Sequence, residues 1–112
     1  MKARQNRLKG ADFDNLFKKG KTTSGDFILL KFKRNNLKIN RFGFIVGLKT
    51  SKKATERNKR RRQLKEIAKS NLINLKPGFD IIIFLKPATV KEKYQKTKEE
   101  VEKLFRKSGL YK

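Results

Sequence analysis

The sequence predicts a small α+β domain with the element order α-β-β-α-β-α. Three short apolar runs rich in Phe and β-branched residues, at 27–33, 42–48 and 79–85, read as strands. Three other stretches space their apolar residues at helical intervals and carry helix start or stop residues. Asn, Gly and Pro separate the two kinds of segment. Residues 1–112 read as one domain, with no repeat, internal linker or second unit apparent, and the length allows one modest core.

Residues 1–10, MKARQNRLKG, are basic and polar and read as a flexible arm. A short helix follows, which Asp12 can cap and Gly20 can end. Phe13 and Phe17 stand four apart and share one face of it. Pattern alone favours placing both rings in the core; a half-exposed pair would instead offer a surface on which unpaired bases stack. Residues 22–25 read as a turn-like link. The strand at 27–33 has apolar residues on both faces, and Asn35-Asn36 supplies turn chemistry after it. In the strand at 42–48, Phe42, Phe44, Val46 and Leu48 alternate onto one face. Gly43 and Gly47 lie on the other, where a backbone or ligand could come close. These two strands are expected to form an antiparallel pair.

The most charged stretch comes next. Between Lys52 and Lys69 there are nine Lys/Arg against Glu56 and Glu66, a net +7. It reads as a helix with Thr55 as N-cap and an apolar set at Leu64, Ile67, Ala68, Leu72 and Leu75. At about 100° per residue, Asn58, Arg62, Lys65 and Lys69 share a face beside the apolar one. Arg57 and Arg61 fall on the apolar side in the first two turns, and unpaired they cannot be buried. The helix start should therefore overhang the core, where its cations can meet phosphates, while the second half packs. Pro77-Gly78 breaks the chain, and the run at 79–85 suits a central strand buried on both faces, ended by Pro87. A capping-box pattern at 89–92 opens a final helix with Tyr94, Val101, Leu104 and Phe105 inward and Ser108-Gly109 near its stop.

Thirty-two Lys/Arg against ten Asp/Glu give the chain a formal charge of +22. Such charge opposes compaction unless a polyanion neutralises it, so nucleic acid is the leading partner and an anionic membrane surface the second. With no His or Cys, imidazole acid–base work, Ser-His or Cys-His catalysis, Cys/His zinc sites and disulfides are excluded. The few Asp residues (12, 14, 26 and 80) are scattered, and no P-loop pattern occurs. No stretch is apolar for long enough to span a bilayer, and none reads as a secretory h-region. The simplest reading is a cytoplasmic basic protein that acts electrostatically, without a membrane. A ribosomal or assembly protein, a major-groove DNA binder and a protein-only metal nuclease are the competing classes.

Read together, these stretches resemble the protein subunit of bacterial ribonuclease P. The central signature is the run from Lys53 to Glu66, with Arg57-Asn58 followed by Arg61, Arg62 and Lys65. The amino-terminal part is similar through Asn6-Arg7-Leu8-Lys9, Asp12-Phe13, Leu16-Phe17-Lys18 and Gly20. Val46-Gly47-Leu48 with Ser51-Lys52-Lys53, then Asp80-Ile81-Ile82-Ile83, Lys86-Pro87-Ala88 and Leu104-Phe105-Arg106-Lys107, extend the likeness over nearly the whole chain. The resemblance implies a compact sandwich with a small mixed sheet and a left-handed βαβ crossover, against the usual hand. It implies a non-catalytic subunit of a ribonucleoprotein endoribonuclease. Its partners would be a catalytic RNA that holds the magnesium ions and the precursor tRNA whose 5′ leader is removed; the protein itself would bind no cofactor. Lys52, Lys53, Arg57, Asn58, Arg61, Arg62 and Lys65 would contact the catalytic RNA. Phe13 and Phe17 would line a cleft for the single-stranded leader, with Arg7 and Lys9 beside them. Two departures stand out. The family's longer loop is missing between Lys53 and Ala54, and Leu30 stands where the cleft commonly carries a tyrosine, with Phe32 two residues on.

Overall fold

A computed structural model describes residue 8 and residues 10–47, 51–87 and 93–112. The elements are α1 (Gly10–Lys19), β1 (Lys21–Ser24), β2 (Ile28–Arg34), β3 (Arg41–Val46), α2 (Ala54–Asn71), a 3-10 turn (Leu72–Asn74), β4 (Phe79–Leu85) and α3 (Tyr94–Lys107). The fold class is α+β, with a four-stranded mixed sheet in the order β1-β2-β4-β3.

The most apolar run does become the central strand. Ile81, Ile82 and Ile83 of β4 are fully buried, so both its edges and both its faces are covered. β2 pairs with β4 antiparallel, Leu30 opposite Ile83, and β3 pairs with it parallel, Gly43 opposite Ile82. The expected antiparallel pair of β2 and β3 is therefore wrong, because β4 lies between them. The Asn35-Asn36 turn is real, with Asn36 at φ 61°. It opens a six-residue connection instead of a tight hairpin, and local turn chemistry cannot specify which strand fills the gap. The link at 22–25 is in part a strand: β1 pairs with β2 along its whole length, Thr23 opposite Leu30.

Successive residues of a strand face opposite ways, and this alternation sorts the molecule into three layers. Ile28, Leu30 and Phe32 of β2 and Ile81, Ile83 and Leu85 of β4 face the main core. Leu64, Ile67 and Ala68 of α2 and Val101, Leu104 and Phe105 of α3 close over it. On the opposite face Ile82 meets Leu16 of α1 and the buried Leu8. Leu8 also donates its amide to the Phe42 carbonyl at 3.0 Å, so the amino-terminal segment is anchored to the sheet by residue 8 rather than free through residue 10. Residues 1–7 and 9, including Arg7 and Lys9, lie outside the described residues.

Two capping expectations and one helix end are corrected. α1 starts at Gly10, so Asp12 sits inside its first turn and pairs with Arg41 instead. α2 starts at Ala54 with Lys53 as an extended N-cap residue and no side-chain cap, so Thr55 is inside the helix. α2 ends at Asn71; Leu72 opens the 3-10 turn that follows, and the buried Leu75 lies just beyond that turn. The pattern at 89–92, like Leu48, lies outside the described residues.

Residue 100 ties α3 to the sheet. The Glu100 carboxylate is buried and accepts the backbone N–H groups of Phe27 at 2.7 Å and Ile28 at 2.9 Å. A Cβ on Gly25 would come within 2.8 Å of that carboxylate, so a larger residue there would have to displace it.

Candidate nucleic-acid interface

The basic helix divides as its charges require. Its buried residues are Leu64, Ile67, Ala68 and Asn71, all in the second half. Asn58, Lys59, Arg62, Lys65 and Lys69 are exposed, as are Lys52 and Lys53 before it. Arg57 and Arg61 are half-buried and paired, each through its guanidinium. Arg57 Nη1 donates to the Ser51 carbonyl at 2.8 Å. Arg61 donates to Asn58 Oδ1 at 2.7 Å and to the Val46 carbonyl at 3.3 Å. These contacts lash the helix start to the end of β3 and to the short segment before Ala54. They use only part of the five N–H donors each guanidinium carries. The direct run of Lys53 into Ala54 is closed by the Lys53 amide donating to Ser51 Oγ at 3.2 Å. The six residues from Lys52 to Arg62 that the resemblance assigns to RNA contact thus cluster at one end of α2, and Lys65 continues the stripe by a turn.

A second site lies on the opposite face of the sheet, under α1. The Phe13 and Phe17 rings stack with centroids 6.4 Å apart and an interplanar angle of 20°. Phe13 is half-buried, while Phe17 is 42% exposed. The core reading therefore holds in part for Phe13 and fails for Phe17. Phe13 reaches the sheet because Gly43 has no side chain: a Cβ there would stand 2.6 Å from the Phe13 ring. Lys31 of β2 extends under Phe17, its Nζ 5.0 Å from the ring centroid and 2.8 Å from the Phe17 carbonyl, to which it donates. In the register one step along, Leu29, Phe84 and Ile45 form a half-buried apolar row across three strands.

Leu30 and Phe32 take no part in this site. Both are buried in the main core on the far face, so neither stands in for the cleft tyrosine. The β2 residue beneath α1 is Lys31. Sequence reasoning missed Lys31, Leu29, Ile45 and Phe84, because membership of this row depends on strand order and register. Gly43 was the one legible signal.

Charge also binds α1 to the sheet. Arg41 donates from Nε and Nη2 to the two Asp80 carboxylate oxygens, each at 2.8 Å, and from Nη1 to Asp12 Oδ2 at 3.0 Å. The hydrogen bonds Arg41 donates to Asp80, against the cost of burial, raise its guanidinium pKa above the usual value. Among the described residues no group of three or more Asp/Glu comes together where it could hold a metal ion, and no helix is long and apolar enough to cross a membrane.

The comparisons agree with this architecture. A family model described as Ribonuclease P matches residues 1–109. The ribonuclease P protein component of Synechocystis is 32% identical over 100 residues, covering 88% of this chain and 81% of that protein. That of Thermoanaerobacter sp. (strain X514) is 33% identical over 103 residues, covering 92% and 88%. Among solved structures, the RNase P protein of Thermotoga maritima superposes with a TM-score of 0.80 at 29% identity over 89% of this chain and 96% of that one. A Staphylococcus aureus RNase P protein mutant reaches a TM-score of 0.89 at 23% identity over 96% and 92%, a likeness of fold. With the family matched across the chain and the fold matched in three layers, this protein belongs to the ribonuclease P protein-component family.

Proposed function

We propose that the chain binds the RNA subunit of bacterial ribonuclease P and the 5′ leader of precursor tRNA at once, and so aids removal of the leader. The observation that carries this is the placement of two different RNA-compatible surfaces on opposite faces of one sheet. The cationic start of α2 is a phosphate surface, with Lys52, Lys53, Arg57, Asn58, Arg61, Arg62 and Lys65 as its contacts. The ring pair on α1, with Lys31 below it, is a stacking surface suited to a single strand. Stacking and backbone contacts carry little base information, so leader recognition should tolerate sequence. Arg7 and Lys9 belong to the arm that precedes α1 and would extend the leader contact. The protein's cations share the neutralisation of two polyanions, the catalytic RNA and its substrate. Magnesium would be held by the RNA, which would carry the chemistry, and the assembly would work in the cytoplasm.

The test is cleavage of precursor tRNA at low magnesium by bacterial ribonuclease P RNA alone, by the protein alone and by both together. Cleavage at the mature 5′ end by the mixture only is the expected result. No gain over the RNA alone would reduce the role to general RNA binding. Cleavage by the protein alone would move the chemistry onto the polypeptide.

A further inference from the structure

α1 carries the ring pair but has a thin grip on the sheet. Leu16 is its one buried residue. Phe13 rests on Gly43, and Phe17 is largely in solvent. Among the described residues, the polar contacts that hold the helix sit at its two ends. At the last turn, Lys31 donates to the Phe17 carbonyl. At the first turn, Asp12 accepts from Arg41 one residue before Phe13.

Arg41 is itself immobilised. Arg41 of β3 and Asp80 of β4 are register partners, and the guanidinium grips both carboxylate oxygens. Asn35 Nδ2 adds a third donor to Asp80 at 2.9 Å. Side-chain exposure rises outward along the chain of contacts, 11% at Asp80, 20% at Arg41 and 53% at Asp12. The anchor is thus in the sheet and the free end is on α1. A planar fork can hold two oxygens of one carboxylate and still aim a third donor elsewhere; an ammonium group has no such fixed geometry.

We propose that Arg41 is a positioning residue for the leader site: fixed to Asp80, it holds Asp12 and so sets α1, and with it the Phe13–Phe17 pair, over the sheet. The inference rests on the leader reading of that cleft. It assigns no contact with RNA to Arg41 or Asp12.

Asp12→Asn separates this role from simple electrostatics, because the two predict opposite signs. Removing a negative charge from a cationic RNA binder should tighten every RNA complex. Loss of positioning should weaken binding of precursor tRNA relative to mature tRNA. In the holoenzyme reconstituted with bacterial ribonuclease P RNA, we expect the preference for precursor over mature tRNA to fall about threefold, the scale of a half-exposed ion pair. The cleavage rate at saturating substrate should not change. Arg41→Lys, which keeps the charge, should lower the preference in the same direction. Both effects should vanish in a Phe13→Ala/Phe17→Ala background, since coupled residues are not additive. An unchanged or increased preference in Asp12→Asn, while the double Phe variant loses it, would overturn the positioning role and leave the cleft intact. A double Phe variant that keeps full preference would overturn the cleft reading and the inference with it. Equal weakening of precursor and mature tRNA, with a lowered melting temperature, would show a merely structural ion pair.

Discussion

At Gly43 the absence of a side chain decides where an aromatic ring goes. The Phe13 ring occupies the space a Cβ would need, at 2.6 Å, and Phe17 stacks on Phe13 from outside. Gly43→Ala must therefore either swing Phe13 outward or shift α1. Overpacking of this kind costs about 1–3 kcal/mol, at the lower end here because a half-buried ring can move. We expect the variant to lose much of the preference for leader-bearing substrate while its affinity for the RNA subunit stays near wild type, measured by separate titrations of the two RNAs. Equal loss in both would show that the substitution damages the fold rather than the cleft. The sequence already marked Gly43 as a point of close approach. It could not name the ring that approaches, since Phe13 lies thirty residues earlier.

Single elements carry the next two predictions. α3 is pinned to β2 by Glu100, whose carboxylate satisfies two buried amides. Glu100→Ala strands both N–H groups, each an unmet donor costing about 1–3 kcal/mol. Urea denaturation should show a loss of about 2–5 kcal/mol, allowing for water reaching the opened site. Glu100→Gln, which keeps one acceptor oxygen, should recover part of it. A loss below about 0.5 kcal/mol would remove the pin from the account. For α2, exposed cations at its start make the contact with RNA salt-dependent. About six phosphate contacts give a log–log slope of affinity against salt of roughly −4 to −5, and Arg62→Ala should make it shallower by about 1. A slope near zero would refute the electrostatic account of this helix. The division of α2 into an overhanging basic start and a packed second half was legible from the sequence, because burial of unpaired arginine is prohibitive. The carbonyls that pair with Arg57 and Arg61 were not, because Ser51 and Val46 reach them only through the path of the chain.

Across the whole molecule, the carboxy-terminal segment is stitched back to the core through Tyr111. Its hydroxyl donates to Asn71 Oδ1 at 2.8 Å, and Asn71 Nδ2 in turn donates to Glu102 at 2.9 Å. Tyr111 stacks edge-on against Phe105 and pairs with Leu75 in an isolated bridge. Burial, then the nearby Glu102 charge, raises the Tyr111 pKa above its usual 10.0, against a smaller opposing effect of Arg106. The folded state thus holds this proton more tightly than the unfolded state. The associated stability is fully present below about pH 10 and is lost as pH rises through the folded-state value. Melting temperature followed from pH 8 to 11 should fall less steeply in Tyr111→Phe than in wild type, since the variant has no proton to lose there. Identical slopes would show that the Tyr111 proton has no part in the alkaline limit.

The sequence by itself determined the fold class, the central place of the strand at residues 79–85, the charge that calls for a polyanion and the family. The first three are written in composition, periodicity and local spacing, and the family in the order of short motifs that resemble it. The tertiary structure alone decided that β4 separates β2 from β3, and that Lys31 rather than Leu30 or Phe32 underlies α1. It alone decided that Phe13 rests on Gly43, and that Asp12 serves Arg41 rather than capping its own helix. The physical reason is common to all four. Each depends on which residues the register and the layer order bring together across long stretches of chain, and a period-2 strand or a single turn fixes a residue's alternation but not its neighbour.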